Sequence, residues 1–99
     1  DMSTQVYVIA QFRGKSDKID QLVEMLTELT AQTRQESGCI KYGFYQSTDN
    51  PVMFSSFEVW ENLASEEAHW QTQHIQHALA RLPELTEGEA QIIKYRAII

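Results

Sequence analysis

Hydrophobic positions switch between two spacings along the chain, and each switch marks an element. Over residues 4–13, Val6, Val8, Ala10 and Phe12 alternate on one face while Tyr7 and Ile9 fall on the other. That period of two predicts a strand apolar on both sides. Gly14-Lys15-Ser16-Asp17 breaks it; Ser16 or Asp17 is suited to cap a helix, with Asp20 favourable in its first turn. Over 17–36, Ile19, Leu22, Val23, Leu26, Leu29 and Thr33 recur at three- and four-residue intervals. This spacing predicts an amphipathic helix of about five turns. Ser37-Gly38 ends it, Gly38 fitting a left-handed cap. Residues 39–48 predict a second strand with Ile40, Tyr42, Phe44 and Gln46 on one face, and Gly43 permits a bulge or a close approach. Asp49-Asn50-Pro51 turns the chain into a third strand, 52–60, and the short connection makes an antiparallel hairpin. Phe54, Ser56, Glu58 and Trp60 share one face of that strand.

The second half is helical before it ends in a strand. Asn62 or Ser65 can cap a helix whose candidate buried residues are Leu63, Ala68 and Trp70. Residues 72–82 carry an apolar stripe of Ile75, Leu79 and Leu82, with Thr72 as a possible new cap and Pro83 as the stop. A loop over 83–88 and a strand over 89–98, with Ile92 and Ile98 opposite Ile93 and Tyr95, complete the chain. The order strand, helix, strand, strand, helix, strand is the α+β, ferredoxin-like βαββαβ arrangement. Right-handed crossovers then place both helices on one face of a four-stranded antiparallel sheet. The strands are apolar on their other face too, so a second cover is needed, and a second copy of the chain is the economical one. A homodimer joined sheet to sheet is expected.

Composition narrows the function classes. Ninety-nine residues suit one domain, 1–99. No apolar run is long enough to span a membrane. No secretory pattern opens the chain, and Asp1 ahead of Met2 reads as a residue preceding the natural start. A net charge of -6 argues against nucleic acid and against anionic membrane surfaces. The single Cys39 has no internal disulfide partner, which fits a reducing cytoplasm. It reads as a small packed side chain.

Chemistry concentrates between Phe57 and Leu79, which hold both tryptophans and all three histidines. His69 and His74 are five positions apart. On one continuous helix their side chains would diverge by about 140°. A break near Gln71-Thr72 would let both converge and would set His74 in the first turn of a helix, where the dipole favours neutral imidazole. His77 lies three positions after His74, but no H-E-x-x-H spacing accompanies the pair, so His77 reads as a surface residue and no metal is expected. Glu58, if buried, needs a partner, and Arg13, Arg34 or Arg96 could serve. Trp60 fits either a core position or a pocket wall that stacks a flat substrate. Tyr42, Phe44 and Phe54 are core or pocket aromatics.

Three short motifs, Glu36-Ser37-Gly38-Cys39-Ile40-Lys41-Tyr42, Glu58-Val59-Trp60 and the His69 to His74 segment of AHWQTQH, occur in that order. In this spacing the chain resembles the antibiotic biosynthesis monooxygenase family, the quinol-monooxygenase-like dimeric α+β barrel proteins, over roughly residues 5 to 97. The resemblance implies a pocket between sheet and helices and a dimer whose sheets form a barrel. It implies oxidation of a small phenolic or quinol-like substrate by O2 without metal or organic cofactor. His69 and His74 would then be the catalytic residues, and Trp60, Glu58, Tyr42, Phe44 and Phe54 would bind substrate. A haem-degrading branch uses a first-strand asparagine where this chain has Phe12, and His69 falls near a tryptophan of that branch. Rival functions are an isomerase or lyase acting on a small oxygenated metabolite, and a dimeric ligand-binding protein without turnover. The shortage of Lys and Arg in the helical region disfavours a phosphorylated substrate.

Overall fold

The computed structural model describes residues 4–99; Asp1 and Met2, and the expected junction between them, lie outside the described residues. Strand β1 (Val6–Gly14), helix α1 (Ile19–Thr33), strands β2 (Cys39–Gln46) and β3 (Met53–Trp60), helices α2 (Leu63–His69) and α3 (Gln73–Leu85), and strand β4 (Thr86–Tyr95) follow in turn. The strands form one four-stranded sheet in the order β2-β3-β1-β4, every neighbouring pair antiparallel. The expected ferredoxin-like arrangement is present, with its second helical segment divided in two.

Alternation along the strands decides what each face meets. Val8, Phe12, Tyr42, Phe54, Ser56, Glu58 and Trp60 are buried beneath the helices. Leu22, Met25, Leu26 and Leu29 of α1 and Ile75, Ala78 and Leu85 of α3 close over them as one core. Each of the larger apolar side chains contributes roughly 1.5–3 kcal/mol by leaving water. On the opposite face Tyr45, Phe57, Ile93 and Tyr95 are 44 to 51% exposed.

Several local expectations are corrected. Neither Ser16 nor Asp17 caps α1. The helix starts at Ile19 behind Lys18, which makes no side-chain cap. Backbone bonds already fix this corner: Gly14 N–H donates to the Val52 carbonyl and Lys15 N–H to that of Leu85. Of the residues expected on the buried side of α2, Trp70 packs half-buried against the core, but Leu63 and Ala68 are exposed, and the fully buried positions of the helix are Glu66 and His69, two polar residues. Pro83 does not stop α3, which runs on to the fully buried Leu85. Proline keeps a helical φ and forfeits only one bond, to the carbonyl of Leu79, a residue on the exposed side where water can reach. Anchoring by Leu85, and Thr86 closing on the Leu82 carbonyl through both its amide and its hydroxyl, hold the last turn. The expected loop over 83–88 is therefore helix and strand, and β4 spans 86–95 rather than 89–98.

Candidate active site

The histidines meet because two connections are tied to each other. After α1 the chain turns through Glu36, whose N–H donates to the Thr33 carbonyl and whose carbonyl accepts from Cys39 N–H. Gly38 takes φ 85°, a left-handed value that glycine adopts without strain. Its carbonyl accepts from Glu61 N–H at 2.8 Å, and a side chain there would collide with Ser65. The α1–β2 turn is thus clamped to the start of α2, and Glu36 is carried over the far end of that helix.

The far end is a built break. Asn62 caps α2 by accepting from Ser65 N–H at 2.8 Å. After His69 the chain tightens: Trp70, Gln71 and Thr72 each donate to a carbonyl three residues back. Thr72 then serves both helices. Its hydroxyl donates to the His69 carbonyl at 2.8 Å and accepts from Ile75 N–H at 3.3 Å, capping α3. The conditional expectation of a break at Gln71-Thr72 is met, and His74 lies in the first turn of α3.

Both histidines converge on one atom. His69 Nδ1 lies 2.7 Å and His74 Nε2 lies 2.6 Å from Oε2 of Glu36. A carboxylate oxygen accepts, so each of these nitrogens donates. In the neutral rings this leaves Nε2 of His69 and Nδ1 of His74 as the acceptor nitrogens. The His69 ring is buried, with centroids 4.8 Å from Trp60, 5.3 Å from Tyr42 and 5.5 Å from Trp70. His74 and Glu36 stand nearer to water, their side chains 17% and 12% exposed.

Two further carboxyls are buried close by. Glu58 accepts from Ser56 Oγ at 2.7 Å and from the Trp60 indole N–H at 3.0 Å. Burial pushes its pKa above the usual carboxyl range, against the pull of those two donors. None of the arginines suggested by the sequence is its partner: Arg34 donates to the Tyr42 carbonyl, Arg13 reaches Met53 Sδ, and Arg96 is exposed beyond β4. Glu66 accepts from the Trp70 indole at 2.7 Å and from Lys94 Nζ at 2.9 Å. Burial, and then the neighbouring Glu58 carboxyl, raise the Tyr42 phenol well above its ordinary value, so it stays protonated.

A narrow cavity of about 70 Å³ runs between sheet and helices, walled by Phe12, Tyr42, Phe44, Glu58 and Trp70 together with side chains of α1, α3 and β4. It is apolar apart from the Tyr42 and Glu58 groups. Such a mostly apolar lining suits a small flat molecule more than an ion.

Residues 5–81 match the profile of the antibiotic biosynthesis monooxygenase family. The chain belongs to that family. An uncharacterized protein of Synechocystis sp. is 30% identical over 91 residues, 92% of this chain and 62% of that protein, so the chain spans less than two thirds of that relative's length. A conserved protein from Methanosarcina mazei Go1 superposes with a TM-score of 0.92 at 28% identity, covering 96% of this chain and 94% of that one. A crystal structure named antibiotic biosynthesis monooxygenase superposes with a TM-score of 0.90 at 26% identity, over 95% and 99% of the two chains.

In this antibiotic biosynthesis monooxygenase family member the residues singled out from the sequence divide into three places. His69 and His74 come together on Glu36. Tyr42, Phe44 and Glu58 line the cavity. Trp60 is fully buried against His69, while Phe54 stacks on Phe12 at 5.9 Å, at the other end of the face. His77 is exposed, and no helix among the described residues is long and apolar enough to cross a membrane. Sequence reasoning missed Glu36 and Glu66 as site residues. Glu36 stood in a quoted motif, but it meets its partners across 33 and 38 positions, beyond any local period. For Glu66 the usable signal was its place one turn before His69, on the same helical face.

Proposed function

We propose that this protein is a cofactor-independent monooxygenase of a small phenolic or quinol-like molecule. The observation that carries this reading is the Glu36 oxygen shared by His69 Nδ1 and His74 Nε2, because it leaves His69 Nε2 as a lone-pair base among Tyr42, Trp60 and Trp70. Tyr42 and Trp70 are also walls of the apolar cavity, and family membership supports the reaction class. In this reading a substrate ring held between these walls passes its hydroxyl between Tyr42 and Trp70 to Nε2 of His69, which packs behind both and is not itself a wall of the cavity. His69 takes the proton, Glu36 holds the imidazolium that forms, and His74 fixes Glu36 in place. The anion passes one electron to O2; the substrate radical and superoxide join in a carbon–oxygen bond. Loss of the carbon-bound proton and cleavage of the O–O bond then release water and leave a carbonyl. Phenol plus O2 becomes quinone plus water, so no outside reductant enters. The protein contributes positioning, deprotonation and a dry site.

The chain acts as one domain and as a homodimer in this proposal. Tyr45, Phe57, Ile93 and Tyr95, with Tyr7 and Ile9, give the uncovered sheet face an apolar surface that a second copy would bury. The test is oxygen uptake over a panel of phenols and dihydroxy aromatics with metals chelated. Wild type should consume O2 with at least one of them, and His69→Gln should lose about 100-fold or more, in line with removal of a general base. Glu36→Gln, which keeps the shape and removes the charge, should lose less. No enzyme-dependent uptake, or equal rates in His69→Gln and wild type, would overturn the assignment.

A further inference from the structure

We infer that Glu36, His69 and His74 form a binding site for a divalent transition-metal ion of the zinc class, and that the ion silences the base. Glu36 Oε2, His69 Nδ1 and His74 Nε2 all lie within 4.8 Å of one another. They come from three separate places, the α1–β2 turn, the end of α2 and the first turn of α3, yet point at one spot. Two imidazole nitrogens and one carboxylate oxygen are a donor set that zinc binds at about 2.0–2.2 Å, with ligand atoms roughly 3.3 Å apart around it. To admit the ion, the two hydrogen bonds, 2.7 and 2.6 Å long, widen by under an ångström, and the two histidine nitrogens, up to 4.8 Å apart, draw together by a modest turn of the more exposed His74 ring.

Access favours the same conclusion. His69 is buried, whereas Glu36 and His74 keep part of their side chains in water. His74 also borders an open depression of about 420 Å³ with Glu28, Gln32, Gln73 and His77. The ion can enter from this side and keep a water in its fourth position, as three-ligand sites do. The chain's charge of -6 favours its approach.

Binding to the neutral rings moves protons within them. The proton on His69 Nδ1 moves to Nε2 and that on His74 Nε2 moves to Nδ1, leaving both former donors free to hold the metal. His69 Nε2 then carries hydrogen and cannot accept a substrate proton. This inhibitory consequence rests on the oxygenase reading, whereas the binding itself does not.

The test uses the full chain stripped of metal and titrated with Zn2+ by calorimetry and with Co2+ by visible absorption. One ion per chain is expected, with His74→Ala and Glu36→Gln each weakening binding at least tenfold and His77→Ala leaving it unchanged. In wild type, long-range 15N spectra should show His69 and His74 exchanging tautomers as Zn2+ is added, a readout that needs no variant to fold. An unchanged histidine spectrum at saturating Zn2+, or equal affinity in His74→Ala, would overturn the site. Zn2+ should abolish oxygen uptake and a chelator restore it. Binding without any uptake to inhibit would leave the site standing and remove the oxygenase reading, while uptake insensitive to bound Zn2+ would remove the inhibitory role.

Discussion

The helix-covered face of the sheet has two ends that use aromatic rings differently. At one end Phe12 stacks on Phe54 with planes 9° apart and meets Phe44 edge to face, both pairs with centroids 5.9 Å apart. At the other end Trp60, Tyr42 and Trp70 surround His69, and Glu58, Glu66 and Glu36 lie among them. The apolar end requires shape alone. At the polar end each buried carboxyl is matched to named donors, because an unpaired buried charge would cost several kcal/mol. The indoles are part of that matching: Trp60 serves Glu58 and Trp70 serves Glu66. The rings there are hydrogen-bond donors first, and the groups they hold are the ones able to move protons.

The largest expected effect breaks the apolar end. Phe54→Ala should cost about 3–5 kcal/mol in urea unfolding, as cavity-forming truncations of buried aromatics do. The histidine 15N shifts of the folded variant should stay those of wild type, since Phe54 touches none of the Glu36 cluster. A shift in both would mean that the two ends are one cooperative unit.

The next effect isolates the polar end by pH. The raised pKa of Glu58 means that the folded chain holds a proton which the unfolded chain releases from about pH 4.5 upward. Stability contributed at this position therefore falls as pH rises from there and levels off above the folded pKa, with a slope no steeper than about 1.4 kcal/mol per pH unit. Glu58→Gln should remove that component from the stability profile. An unaltered profile would show that Glu58 is ionised at little cost and that its two donors outweigh burial.

The smallest effect tests the joint. Thr72→Ala removes a helix cap and should cost about 1 kcal/mol by chemical denaturation. Its sharper consequence lies in geometry: without the hydroxyl that links the His69 carbonyl to Ile75 N–H, His69 and His74 should no longer give the spectra of a pair sharing one carboxylate. A full loss of stability with unchanged histidine signals would show that Glu36, not Thr72, holds the pair.

Much of the fold was legible because its signals are local. Val6, Val8, Ala10 and Phe12 set the face of β1, the Leu22–Leu26–Leu29 stripe set α1, and Gly38 and Thr72 marked the ends they occupy. Local signals also misled where tertiary contacts outweighed them. Pro83 is a helix breaker by its own chemistry, but the burial of Leu85 carries α3 past it. Leu63 is apolar, yet the face of α2 that docks is the one bearing Glu66 and His69. Hydropathy could not reveal this, because a polar residue is buried only if partners await it, and Lys94 and Glu36 come from distant parts of the chain.

The sequence by itself determined the order of elements, the family and the two histidines as residues able to move protons. It also permitted the break that allows them to meet, since Thr72 is a residue type suited to cap a new helix. Only the tertiary structure decided what they meet. One hydrogen bond from Glu61 to Gly38 and the fit of Gly38 against Ser65 swing Glu36 onto both rings. That choice fixes which nitrogen of each histidine is free, and no spacing along the chain encodes it, because it depends on the meeting of three elements in space.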